Sequence, residues 1–320
     1  MITCMNNLLL SEIILHHFSQ SPVAGYSDYP FRKIIRKYGC RGLIFTEMVS
    51  GKGYLMNPSF HEEILHFDDS DRPVGIQIFG GDPEAIALAA EAIEKKFHPD
   101  LIDINMGCPA RKVTHKLGGA GLLNNPHLAE KIIRECVKRV KTPVSIKTRI
   151  GWNYGDMLSR TLIKSAEENG LICVFLHLRP KTGLFSGKLE LENFLSIKKE
   201  FKIPLIANGG VYSKDDFLRI YGNIKDCGVM IGRGSFGNPW LFKIKEPDYS
   251  TPSISERLSV LKEHLCLTVN YFGEEHGIPK FRKFYKPYLT GISNHTKFLP
   301  SLFREKNLSD ILNIINLFAV

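Results

Sequence analysis

The sequence predicts an α/β fold: a (β/α)8 TIM barrel followed by a small all-helical C-terminal domain. Three observations predict it. Short apolar runs rich in Val and Ile recur along the chain, bounded by Gly, Pro or Asp. A helix-like amphipathic stretch follows each run. The alternation repeats about eight times over about 240 residues, the size of such a barrel. A doubly wound parallel sheet is the alternative, because it too buries apolar strands on two faces.

Taken in order, Pro22 to Gly25 reads as a very short first strand. Gly42 to Met48 (GLIFTEM), Pro73 to Gly80 (PVGIQIFG) and Leu101 to Gly107 (LIDINMG) read as the next three. Pro143 to Ile150 (PVSIKTRI), Cys173 to Arg179 (CVFLHLR), Pro204 to Gly210 (PLIANGG) and Cys227 to Gly234 (CGVMIGRG) complete the set. Helices are expected over Phe31 to Tyr38, Glu84 to Phe97, Pro126 to Val140, Leu158 to Asn169, Leu191 to Phe201 and Ser213 to Tyr221. Asp82 before Pro83 and Asn125 before Pro126 supply the cap-then-proline signature of a helix start. After Phe242 the strand signal stops. Lys245 to Ser253 (KEPDYSTPS) reads as a linker. Leu258, Leu261, Leu265 and Val269 then recur at helical spacing, as do residues in Leu308 to Leu317. The expected units are therefore residues 1–244 and 252–320.

The chain has 320 residues, with 42 Lys and Arg against 33 Asp and Glu, a net charge of +9. Hydrophobic residues at 43% and charged residues at 23% fit a folded protein, not a disordered one. The cationic excess favours an anionic partner, a nucleic acid or a phosphorylated ligand. Seven cysteines, at 4, 40, 108, 136, 173, 227 and 266, form no Cys-x-x-Cys pair. That argues against a disulfide framework, a zinc ribbon or a thioredoxin motif, and suits a cytoplasmic protein. Met1 to Gln20 lacks the cationic start and cleavage site of a secretory signal. No membrane association is expected, since no long uninterrupted apolar stretch occurs.

Barrel chemistry sits at the C-terminal ends of strands. The polar residues there are Gln77, Asn105, Cys108, Lys147, Arg149, His177, Arg179, Asn208 and Arg233. Any one of them alone reads as a loop residue closing a backbone hydrogen bond. On successive strands they read together as a catalytic mouth. The string Gly232 to Gly237 fits G-x-G-x-x-G but follows the last strand, which excludes a dinucleotide fingerprint. His61, Glu62 and His66 miss the H-E-x-x-H spacing by one residue, so no metal is expected.

Seven segments resemble the tRNA-dihydrouridine synthases, most closely the bacterial B-type branch. The densest is DINMGCPARKVTHKLGGAGLL, Asp103 to Leu123. The others are PVAGYSDYPFR (from Pro22), FTEMVS (from Phe45), QIFGGDP (from Gln77), KTRIGW (from Lys147), NGGVYSKDD (from Asn208) and MIGRGSFGNPWLF (from Met230). The resemblance runs from about Pro22 to Tyr288. It implies an FMN-bound barrel with a tRNA-binding helical domain, and NADPH-dependent reduction of the C5–C6 bond of specific uridines in tRNA.

It also implies residue roles. Cys108 matches the family's general acid, which protonates C5 on the face opposite the flavin. A thiol with an ordinary pKa of about 8.5 holds its proton at pH 7 and suits that task. Asn105 is expected on the base edge. Lys147 is expected near the flavin N1 and C2 carbonyl, where a fixed ammonium stabilises negative charge. Gln77 donates and accepts, which suits the flavin pyrimidine edge. Pro22, Val23, Ala24 and His177 complete the expected cofactor wall. Asn208, Gly209, Gly210, Gly232 and Arg233 fit phosphate binding after the last two strands. For tRNA the expectation falls on Arg111 and Lys112, on Arg179, and on Lys280, Arg282, Lys283 and Lys286. The last four alternate with Phe281, Phe284, Tyr285 and Tyr288, whose preferred reading is core. No protein partner is expected.

Two departures stand out. The usual H-G-R-T is His177-Leu178-Arg179-Pro180, and the usual Gln-x-Tyr is Gly183-Leu184-Phe185. Leu178 adds bulk where glycine allows close approach, so a shifted flavin or base is expected. Two rival readings remain open at this point. One is a small-molecule FMN oxidoreductase of the dihydroorotate dehydrogenase kind. The other is a non-enzymatic tRNA-binding protein.

Overall fold

A computed structural model describes residues 6–224, 226–293 and 295–319. Cys4 lies outside them. The strands are β1 (Ser19–Gln20), β2 (Ile44–Phe45), β3 (Val49–Ser50), β4 (Val74–Phe79), β5 (Leu101–Met106), β6 (Val144–Arg149), β7 (Cys173–His177), β8 (Leu205–Asn208) and β9 (Val229–Ile231). They pair in parallel in the order β1-β9-β8-β7-β6-β5-β4-β2, with β3 a second partner of β4. The gap between β1 and β2 is bridged by Gln20. Its N–H donates to Leu43 O at 2.8 Å. Its side-chain oxygen accepts from Phe45 N at 2.7 Å. A (β/α)8 barrel results.

The first strand is Ser19–Gln20, not Pro22 to Gly25. Pro22 has no N–H to give a ladder. Beyond it the chain turns: the amides of Tyr26 and Ser27 both donate to Val23 O, at 2.9 and 3.0 Å. Of the expected strand Gly42 to Met48 only Ile44–Phe45 is strand, and β3 begins just past its end at Val49.

The barrel helices follow their caps. They include α2 (Tyr29–Lys37), whose N-cap is Asp28, and α4 (Pro83–Phe97), capped by Asp82. Between them lies the short α3 (Gly51–Met56). Next come α5 (Pro126–Arg139) behind Asn125, α6 (Ser159–Glu168), α7 (Leu191–Glu200) and α8 (Lys214–Tyr221) behind Ser213. Helix α3 had no sequence expectation, and neither had one further helix. It is α1 (Asn7–His16), which closes the N-terminal end of the barrel. Its Leu10 and Ile14 are buried with Phe45, Phe175, Ile206 and Met230 of the barrel interior.

The C-terminal helices are α9 (Ile254–Leu289), α10 (His295–Arg304) and α11 (Leu308–Asn316). Helix α9 starts at a capping box of Ser253 and Glu256 and breaks at Gly273, where φ is +76°. The chain folds back there into a hairpin of two arms, 254–272 and 274–289. The arms lie so close at Gly277 that a Cβ would fall 2.9 Å from Thr268 O. The hairpin docks on α2 through aromatic packing. The Phe284 and Phe31 rings stack at 5.6 Å, and Phe281, Phe284, Tyr285 and Tyr288 are all buried. Glu263 adds bonds to Lys37 at 2.6 Å and Tyr38 at 2.8 Å. No helix among the described residues is long and apolar enough to cross a membrane.

Candidate active site at the barrel mouth

The C-terminal ends of the strands surround a cavity of about 460 Å³. That is within the range of small-ligand sites. Its two sides differ. On the β4–β5 side a chain of hydrogen bonds starts at Asp103, which is fully buried on β5. Its carboxylate accepts from Gln77 Nε2 and from Ser145 Oγ, both at 2.6 Å. Burial pushes the Asp103 carboxyl up to about 6, against those two hydrogen bonds. When ionised, a carboxylate only accepts, so Gln77 must turn its amide nitrogen inward. The Gln77 oxygen then accepts from Asn105 Nδ2 at 2.8 Å. Asn105 Oδ1 in turn accepts from the amides of Gly107, at 3.1 Å, and Cys108, at 2.9 Å. One buried acid thus fixes the direction of two amide side chains and the start of the Cys108 loop.

That loop is closed by a tight return. Ala120 N donates to Cys108 O at 3.0 Å. Gly119, at φ +55°, passes so close that a Cβ would sit 2.7 Å from Cys108 O. Cys108 is half-buried and lines the cavity.

The side formed by β6 to β9 carries the charge. Lys147 Nζ donates to Asn208 Oδ1 at 3.0 Å, and Asn208 Nδ2 donates to Met230 O at 2.8 Å. Burial, then the neighbouring Arg149, pushes the Lys147 ammonium down to about 8. Arg149 donates to the carbonyls of Gly107 (2.9 Å), Leu184 (2.8 Å) and Pro180 (3.0 Å). Burial lowers it to about 10. Arg179 donates to Gly187 O, and Arg233 to Phe185 O. The Phe185 ring lies against both the Arg149 and Arg233 guanidiniums, at 5.5 and 5.2 Å. His177 is buried beside these cations. Burial first, then the cations, holds its imidazole well below its ordinary value and therefore neutral. Lys147, Arg149, Arg179 and Arg233 line the cavity, and no Asp or Glu does.

Glycines open the wall beside that charge. Gly209 and Gly210 have φ of +126° and +82°. A Cβ on Gly210 would meet Leu189 Cδ1 at 2.7 Å. An acid-free, cationic, glycine-lined cavity suits an anion such as a phosphate. Gln77 and Lys147 offer neutral and charged donors to a polar ring edge. The residues present therefore fit a flavin mononucleotide, which has both parts.

The cavity brings together Pro22, Val23, Ala24, Gln77, Asn105, Cys108, Lys147, His177, Arg179, Asn208, Gly209, Gly210, Gly232 and Arg233. Arg111 and Lys112 lie outside it, exposed on a short helical turn past Cys108. The four cations of the hairpin's second arm also lie away from the cavity and differ among themselves. Lys280 pairs with Glu63 at 3.3 Å, and Arg282 donates to Glu305 O at 3.3 Å. Lys283 is bonded to Gly25 O and Asp28. Lys286 is exposed, and its side chain makes no hydrogen bond or ion pair among the described residues. Arg149 was visible as a strand-end cation yet had no role predicted for it. Tyr26, Phe185 and Tyr212 also line the cavity and sit in loops, where no periodicity marks them. Leu178 does not line it. Its side chain is wholly buried in the barrel packing.

The Dihydrouridine synthase (Dus) family profile matches residues 19–313, which spans every cavity residue and both arms of the hairpin. The chain belongs to the dihydrouridine synthase family. The tRNA-dihydrouridine synthase B of Pasteurella multocida (strain Pm70) is 35% identical over 284 residues, covering 87% of this chain and 85% of that one. The tRNA-dihydrouridine synthase B of Pseudomonas aeruginosa is 34% identical, with the same coverage. Among solved structures, histamine dehydrogenase from Rhizobium sp. 4-9 superposes with a TM-score of 0.53 at 13% identity, over 81% of this chain and 51% of that one. Morphinone reductase gives 0.51 at 12%, over 75% and 88%. At such identities the likeness concerns the barrel alone. Membership in this family makes the protein an oxidoreductase. The profile match starts at β1, past α1.

Proposed function

We propose that this enzyme reduces the C5–C6 double bond of particular uridines in tRNA, with FMN in the mouth and NADPH as reductant. The observation that carries the reading is one acid-free cavity shared by Cys108, Asn105 and four cations. Pro22 to Ala24, Gln77, Lys147 and His177 would hold the flavin ring. Asn208 to Gly210, Gly232 and Arg233 would hold its phosphate. When bound and reduced, FMN supplies a hydride to C6 of the base.

The chain's own residues do the rest. A uridine must leave its stack to present C5 and C6 face-on in the mouth. Asn105, its oxygen committed to the Cys108 loop and one Nδ2 hydrogen to Gln77, would meet a base carbonyl with the hydrogen that now faces Met48 Sδ at 3.4 Å. The Cys108 thiol gives its proton to C5, and the thiolate is reprotonated from solvent. Lys147 and Arg149 favour that transient negative charge. Arg179 would contact the substrate at the rim. Arg111, Lys112, Lys280, Arg282 and Lys286 would meet tRNA phosphates. Residues 1–244 then form the FMN-binding unit and residues 252–320 the tRNA-binding unit, acting in the cytoplasm.

The test is to record the visible spectrum of the purified protein and incubate it with NADPH and unmodified tRNA. Dihydrouridine is then located by mass. A yellow protein that adds two hydrogens to a uridine is the expected result. A yellow protein that oxidises NADPH and leaves tRNA unchanged would instead indicate a small-molecule reductase.

A further inference from the structure

Lys283 is the one cation of the hairpin that reaches the turn lining the cavity. Its Nζ donates to Gly25 O and pairs with Asp28 at 3.3 Å. Its ammonium lies 5.2 Å from the Tyr26 ring centre. On the other side of the same residue, Gly25 N–H donates to the Glu47 carboxylate. Gly25 is thus held from both sides: through its N–H by the barrel, through its carbonyl by the helical hairpin. Residues flanking it, Pro22 to Ala24 and Tyr26, line the cavity. The Tyr26 ring is itself clamped. It stacks flat on Phe236 at 4.1 Å and meets the edge of Phe284 at 5.5 Å.

Two physical points follow. A lysine bonded to a carbonyl and a carboxylate has few donors left for a phosphate. At Gly25, where φ is +76°, a Cβ would meet nothing within 4 Å, so no side-chain packing at that residue fixes its two peptide units. Its shape depends on the groups that hold its peptide units.

We propose that Lys283 is a positioning residue: through Gly25 the docked hairpin holds the 22–26 turn, one wall of the FMN site, in its binding shape. The proposal rests on the FMN reading above. It makes the helical domain part of the cofactor site as well as a platform for RNA. It separates Lys283 from Lys286, which lies one turn further along the same arm and is free for tRNA.

The test uses full-length apoprotein titrated with FMN, followed by flavin fluorescence and the shape of the visible bands. Lys283→Met keeps the aliphatic stem on Tyr26 and removes the donor. It is expected to weaken FMN binding roughly tenfold, the size of one charge-assisted hydrogen bond. Lys283→Arg, which keeps a charged donor, is expected to restore most of it. The salt dependence of tRNA binding should stay at the wild-type slope in Lys283→Met. It should fall by about one in Lys286→Met. Lys283→Leu, which also removes the donor, provides the same comparison should the Met variant not fold. Wild-type FMN affinity in Lys283→Met, or a tRNA salt slope reduced by about one without loss of FMN, would overturn the proposal. A wild-type protein that binds no FMN would remove the FMN reading as well, and that outcome is seen before any variant is compared.

Discussion

The two sides of the barrel mouth satisfy their polar groups in opposite ways. On the β4–β5 side, Asp103, Gln77 and Asn105 bond to one another and end on backbone amides. Direction is fixed there, starting from a single buried acid. On the β6–β9 side, Arg149, Arg179 and Arg233 donate to backbone carbonyls. Carbonyls satisfy hydrogen bonds and leave the charge uncompensated. A carboxylate in that position would do both. The comparison teaches that hydrogen-bond satisfaction and charge neutralisation are separable. One side is built to orient a neutral ring and a thiol. The other keeps its positive potential for an anion.

If that division is right, variants on the two sides fail differently. The largest effect is expected on the first side. Cys108→Ala should lower dihydrouridine formation by about 10²–10⁴-fold, the usual worth of a positioned general acid. Single-turnover mass analysis of tRNA reads it directly. Its FMN content, measured from the visible spectrum, should match wild type, since the loss is of a proton donor only. Equal loss of flavin and product would break the division. On the second side, Lys147→Met should weaken FMN itself, by about tenfold to a hundredfold. The pH dependence has a definite sign. In the free protein Lys147 is charged below about 8 and neutral above it. An anion prefers the charged form, so wild-type FMN affinity should fall as pH rises from 7 to 9. Lys147→Met should remove that component of the pH dependence. A fall of the same depth in the variant would show that another group governs it.

Much of this mouth was legible in the sequence because strands announce their ends. Gln77, Lys147, His177 and Asn208 each close a run of apolar residues, and the topology of a barrel then gathers them. What was hidden had no period. Phe185 reaches the cavity from a loop whose path is set by guanidiniums of two separate strands. The first strand was misplaced because Ser19 and Gln20 are polar, and polar residues carry no strand signal. They are buried because Gln20 uses its side chain to bridge the barrel seam. Leu178 looked like an obstruction because motif spacing does not say which way a strand residue faces. The hairpin cations looked alike in sequence. Which of them are already bonded depends on Gly25, Asp28, Glu63 and Glu305, far away in the chain.

The smallest effect sharpens the comparison most, because it asks whether the first side needs a charge at all. Asp103 sits at about 6 in the folded protein, above its ordinary value of 3.8. A raised carboxyl means that the folded state holds its proton more tightly than the unfolded chain does. The contribution of Asp103 to stability is therefore highest below about pH 4. It falls as pH rises towards 6 and then levels, by about 3 kcal/mol in all. Asp103→Asn removes the titration and keeps the shape. Its oxygen can still accept from Gln77, and its new N–H can donate to the Ser145 hydroxyl, which also accepts. The Gln77 and Asn105 amides need not turn. The variant should therefore melt at a higher temperature than wild type at pH 7, and no higher at pH 4. Its dihydrouridine rate should lie within about threefold of wild type, because only the origin of the hydrogen-bond chain has changed. Thermal melts at the two pH values and one turnover assay measure all of this. Should Asp103→Asn abolish turnover while melting higher, the buried charge itself acts on the reaction, and the first side of the mouth is not neutral after all.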